Sequence, residues 1–104
     1  MYESKLKSKA LDQLFAAILS LESTEECYRL FDDLCTISEI QAMSQRFEVA
    51  MMLRVGMTYQ VIAQKTGAST ATISRVNRCL SFGADGYRTV LDRMEEYDKS
   101  EENQ

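Results

Sequence analysis

The stretch at 58–80, TYQVIAQKTGASTATISRVNRCL, constrains the fold more than any other, because it reads as two short helices joined by a tight turn. Val61, Ile62 and Ala63 sit on the first helix, Gly67 breaks it, and Ile73, Val76 and Leu80 recur at helical spacing beyond. Ala63 is small where two helix axes must pass close together. Gly67 stands where a chain leaving a helix commonly needs a left-handed backbone, which glycine adopts without steric cost. Thr58 and Ser69 precede the two helices as N-caps, with hydroxyls able to accept from otherwise unpaired amides. The spacing predicts a helix-turn-helix.

With Ile73, Val76 and Leu80 facing inward, the second helix turns Ala71, Ser74, Arg75 and Arg78 outward, with Thr70 and Thr72 near its start. Small hydroxyl side chains and two arginines suit a face that enters a major groove, bonds base edges and neutralises phosphates. Spacing alone also fits a helical hairpin with a glycine turn and no nucleic-acid partner. The basic outer face is what favours DNA.

Net charge alone argues the other way, being −4 over 104 residues. Its distribution reverses the inference. Residues 1–40 hold four basic and eight acidic side chains, and residues 81–104 hold three and seven. Between them, Arg46, Arg54, Lys65, Arg75 and Arg78 face a single acid, Glu48. Exposed charges more than about 8 Å apart are largely screened in physiological salt, so the local sign governs.

Length fits one domain with a modest core, spanning 1–97. No apolar run approaches the roughly 20 residues that cross a bilayer, and MYESKLKSKALDQ lacks a signal-peptide core, so a soluble, cytoplasmic protein is expected. Cys27, Cys35 and Cys79 form no CxxC and are odd in number; they read as small core or boundary residues, without zinc or disulfide. There is no histidine, glycine-rich phosphate loop, metal-ligand spacing or nucleophile with an evident base, so no enzyme is expected.

The remaining segments are also helical. Residues 4–21 carry Leu6, Leu11, Leu14, Phe15, Ile18 and Leu19 on an apolar stripe wider than a small monomer easily covers. That suits burial against a second chain, or an ordinary core helix. Ser23 or Thr24 opens the next helix, with Glu26 in capping-box position and Cys27, Leu30, Phe31 and Leu34 inward. A second capping box, TISE at 36–39, opens the longest helix, 37–55, with Ile40, Met43, Phe47, Ala50, Met51 and Leu53 or Arg54 at helical spacing and Gly56 as its stop. After a loop at 81–86, Asp85 caps a last helix at 87–97, whose apolar face is Tyr87, Val90, Leu91 and Met94. The acidic tail 98–104, DKSEENQ, has no apolar residue and reads as frayed or disordered. The expectation is an all-α chain of about six helices.

The run at 38–80, with MSQRFEVAMML, a glycine stop and TYQVIAQKTGASTATISRVNRCL, followed by GADGY, resembles the Trp-repressor-like proteins, most closely their YerC/YecD branch. The likeness covers nearly the whole chain, and GASTATISRVNRCL is its most specific part. It implies an intertwined homodimer in which each hairpin projects as a reading head. Two recognition helices would then lie about one DNA turn, roughly 34 Å, apart on a palindromic double-stranded operator. The resemblance places base contacts, often through water, at Thr70, Ala71, Thr72 and Ser74, with Thr58 and Gln60 near the backbone. Ser69, Arg75 and Arg78 complete the DNA-binding set.

The resemblance also implies a corepressor clamp of two arginines, matched here by Arg46 and Arg75. The residue after the second arginine is glycine in the Trp repressor and Val76 here, and a valine takes up space that an indole ring needs. A small carboxylate effector of unassigned identity fits this pattern better than tryptophan, and no cofactor is expected. Pairing of Arg46 and Arg75 with acidic neighbours, or contact with phosphates, is the reading preferred over any ligand. The functional expectation is a DNA-binding transcriptional regulator, a repressor acting as a homodimer. A helical protein-interaction module is a second reading, favoured by the acidic faces and a pI of about 4.8.

Overall fold

Five of the six helices described begin at a hydroxyl cap; the cap expected for the last, Asp85, sits in left-handed backbone (φ 67°) with no side-chain capping bond described. In the computed structural model, which describes residues 2–102, Ser8, Ser23, Thr58 and Ser69 stand in extended backbone and accept from the amide three residues on. Each bond satisfies an amide that has no intrahelical partner. The described residues form six helices: α1 (Lys9–Leu19), α2 (Thr24–Leu34), α3 (Ile37–Arg54), α4 (Tyr59–Thr66), α5 (Thr70–Phe82) and α6 (Gly86–Glu102). No strand occurs among them. Where length predicts one domain, the chain groups into two compact units, Met1–Ile40 and Gln41–Gln104, with the boundary inside α3. The physical reason is the core: α1 and α2 bury no residue, and every buried hydrophobic described lies in the second unit.

In the first unit, α1 starts later than its apolar stripe. Ser4 closes a turn instead, its hydroxyl accepting from Leu6 N and its carbonyl from Lys7 N, and Ser8 provides the cap. Leu6, Phe15 and Leu19 are exposed, Leu19 at 84%. In α2, Ser23 caps Glu26 N while Glu26 Oε1 accepts from Glu22 N, one residue earlier than the usual reciprocal bond. Leu30 and Phe31 are half-buried, whereas Cys27 and Leu34, expected inward, are exposed.

The box at 36–39 closes as expected: Thr36 Oγ1 accepts from Glu39 N at 3.2 Å and Glu39 Oε1 from Thr36 N at 2.8 Å. The Thr36 amide, then its hydroxyl, holds the Glu39 carboxyl below its ordinary value of 4.5. A depressed acid contributes stability in full above the unfolded value and loses it as pH falls through the folded one. Glu39→Gln is therefore expected to lower the urea midpoint at pH 7 and to sit closer to the parent protein at pH 3. An equal deficit at both pH values would remove the carboxylate from the cap.

The second unit is built on the far part of α3. That helix ends in a Schellman arrangement at Gly56 (φ 86°), with Gly56 N donating to Leu53 O and Met57 N to Met52 O. Val49 and Ala50 of α3, Ile62 of α4, Ala68 of the turn, Ile73 and Val76 of α5, and Leu91 of α6 form the core. Phe47 and Tyr87 stack against it with centroids 6.4 Å apart. Arg54 pairs with Asp92 and with Glu95 at 2.9 Å, joining α3 to α6. Met43 and Met51, expected on the inner face, are 40% and 37% exposed.

Two boundaries differ from expectation. α5 runs two residues past Leu80, and Gly83 ends it, its amide donating to Cys79 O. A Cβ at Gly83 would stand 2.4 Å from that carbonyl. The segment 98–102, expected to be a frayed or disordered tail, continues α6, with Tyr97 Oη donating to Glu101 Oε1 at 2.9 Å. No glycine or proline interrupts it, so polar composition alone did not stop the helix. Residues 103–104 of that segment lie outside the described residues.

Candidate nucleic-acid interface

The hairpin is held from its turn outward. Gly67 takes φ 74° and its amide donates to Ala63 O, ending α4. With no atom within 4 Å of an added Cβ, the left-handed backbone, not crowding, is what calls for glycine there. Thr66 Oγ1 donates to Ile62 O at 2.8 Å and accepts from Ala68 N at 3.1 Å. Ala68, 5% exposed, tucks the turn into the core, and Ser69 then caps α5. At the far end, Arg88 of α6 donates through Nε to Leu80 O at 2.8 Å, satisfying a carbonyl in the last turn of α5.

Burial of Ile73 and Val76 on one side of α5 leaves the other side open. Thr70, Ala71, Arg75 and Arg78 are exposed, Ser74 and Thr72 are half-buried, and Ser69 is exposed at the cap. On α4, Gln60 is exposed, and Thr58 is exposed as its N-cap. The structure brings Ser69 and Thr72 together, which spacing did not single out beyond the cap. The Ser69 hydroxyl accepts from Thr72 N and donates to Thr72 Oγ1, both at 3.1 Å. The Thr72 hydroxyl keeps its own proton to donate.

Electrostatics favour an anion at this face. Among the described residues, Arg46, Lys65, Arg75 and Arg78 form no ion pair, and neither do Lys5, Lys9, Arg93 and Lys99 elsewhere, while Lys7, Arg29, Arg54 and Arg88 each face carboxylates. The acidic pairing considered for Arg46 and Arg75 is thus absent among those residues. Helices α1, α2 and α3 carry acids in their first turns, and α4, α5 and α6 carry none. The positive ends of both hairpin helices stay uncompensated.

Arg46 is half-buried on α3 and Arg75 is exposed on α5. An apolar cavity of about 490 Å³ lies among Phe47, Cys79 and Tyr87, and its lining includes neither arginine. Val76, 1% exposed, is part of the core. Cys27 and Cys79 are exposed, departing from the expected core or boundary placement, while Cys35 is half-buried as a boundary residue. No cluster of metal-ligating side chains occurs among the described residues.

These features define an all-α chain organised around a helical hairpin with a basic outer face. A family model for the Trp repressor protein matches residues 9–95. The chain belongs to that family. It is 64% identical over 96 residues to the uncharacterized protein YerC of Bacillus subtilis strain 168, covering 92% of each. It is similar to a TrpR-like protein from Eubacterium eligens ATCC 27750, at 62% identity and TM-score 0.84 over 88% of this chain and 94% of that one. A candidate Trp repressor from Staphylococcus aureus shares 60% identity, with TM-score 0.83 over 88% and 91%. The YerC/YecD branch and the all-α fold expected from sequence follow from these matches, and the family is one of regulators, not enzymes.

Proposed function

We propose that this chain is a cytoplasmic, sequence-specific DNA-binding transcriptional regulator, a repressor that acts as a homodimer through the helix-turn-helix of α4 and α5. One observation carries the reading. The outer face of α5 presents Thr70, Ala71, Ser74, Arg75 and Arg78 on a helix whose opposite side is buried, with no ion pair to its arginines among the described residues. Small hydroxyls select base edges, arginines neutralise phosphates, and the free N-terminal amides of α4 and α5 add anion sites. A second copy is supported by α1 and α2, which bury nothing while exposing Phe15, Leu19, Tyr28 and Leu34. Two recognition helices then read a palindromic operator.

Selection of bound duplexes from a random pool, followed by titration of the best site at two salt concentrations, tests this. A palindromic site with strongly salt-dependent affinity is expected. Absence of any enriched site, with binding insensitive to salt, would favour a protein partner for the hairpin.

A carboxylate effector held by Arg46 and Arg75 is a further reading, favoured because neither arginine has an acidic partner among the described residues. A thermal-shift screen of amino acids checks it, since a ligand of the folded state raises apparent stability.

A further inference from the structure

Few polar bonds tie the hairpin to its scaffold, and one of them lies at the turn. Gln45 Nε2 on α3 donates to the carbonyl of Thr66, the last residue of α4, at 3.1 Å across 21 residues of sequence. That carbonyl is among the last four of α4, which have no partner within the helix. Among the described residues, no other side-chain hydrogen bond joins α3 to α4 or α5.

The bond also leads somewhere. The same Thr66 fixes the turn through its hydroxyl, which accepts from Ala68 N. Ala68 is buried, and the next residue, Ser69, caps α5. A short path of bonds therefore runs from the scaffold helix to the start of the outward-facing helix. The hydrophobic contacts of Val49 and Ala50 with the hairpin core hold it down, and such contacts are non-directional. A hydrogen bond has a preferred direction.

We propose that Gln45 is a positioning residue for DNA reading: its bond to the Thr66 carbonyl sets the angle of α4 and α5 on α3. In the dimer it thereby sets the separation and tilt of the two recognition helices. This inference rests on the chain being a dimeric DNA-binding regulator.

The test uses the full chain, with the duplex selected above and two variants. Gln45→Ala removes the donor; Gln45→Glu keeps the size but offers a carboxylate, which accepts only at neutral pH. All proteins are compared well below their own melting midpoints. A single half-site needs one head, whereas a full operator needs two heads at the right spacing. Both variants are expected to bind the full operator about tenfold more weakly while holding a single half-site within about twofold. Their preference for the native half-site spacing over spacings one base pair longer or shorter should flatten, and Gln45→Lys, which restores a donor, should recover it. Unchanged spacing preference and affinity in Gln45→Ala and Gln45→Glu would overturn the role of Gln45 and leave the DNA reading intact. No duplex preference in the parent protein would overturn the DNA reading itself, and the role of Gln45 with it.

Discussion

Ile73→Ala is expected to cost about 2–5 kcal/mol and to lower the melting midpoint on the order of 10–20 °C. Ile73 is 0% exposed and sits on α5 between the turn and the basic face, in the cluster that also holds Ile62, Val49 and Val76. Those four are the largest fully buried side chains described, so the second unit has little core to spare. Truncation removes apolar contact from each neighbouring helix and leaves a cavity that a small core cannot fill. Ala71→Ser, two residues away on the exposed face of the same helix, should change stability by no more than about 0.5 kcal/mol. Thermal melts of the two variants check the assignment of faces. A loss at Ala71→Ser matching that at Ile73→Ala would mean that α5 is rotated from the orientation described.

That orientation was legible because every signal for the hairpin is local. Thr58, Gly67 and Ser69 act on amides and backbone angles within a few residues of themselves, and α4 begins, ends and gives way to α5 where they indicate. The capping box at 36–39 was legible for the same reason. Competing local signals were harder. Ser4 and Ser8 both resemble caps, and α1 uses Ser8, whose start also lets Lys7 reach Asp12 at 2.9 Å.

Long-range choices left no mark in local spacing. Apolar residues run around α3, through Val49, Ala50, Met51, Met52 and Leu53, so the face picked out by periodicity matched the buried one only in part. The packing chose Val49 and Ala50 and left Met51 partly exposed. Gln45 to Thr66, Arg88 to Leu80 and Arg54 to Asp92 are equally tertiary, since each depends on how two helices register. The tail at 98–102 shows the opposite case. Composition there suggested disorder, yet helix continuation needs only compatible neighbours and no stop.

Removing both arginines from the outer face should show how far the interface depends on charge. Arg75→Ala with Arg78→Ala deletes two cations per chain, hence four in a homodimer, and neither has an ion pair among the described residues that would be broken in the free protein. Stability should therefore hold, while affinity falls for specific and random DNA alike. Each lost phosphate contact reduces the slope of log affinity against log salt by about one, so a slope shallower by about four is expected if all four cations touch phosphate. Thr72→Ala should behave differently, because its hydroxyl, already accepting from Ser69, has a proton free for a base edge or a bridging water. The expected result is weaker discrimination between the best site and its single-base variants, about 1–3 kcal/mol at one position per half-site, with the salt slope unchanged. Parallel titrations at three salt concentrations separate the two effects. A Thr72→Ala protein that loses salt dependence, or a double-arginine variant that loses only base discrimination, would reverse the roles given to hydroxyl and guanidinium on α5.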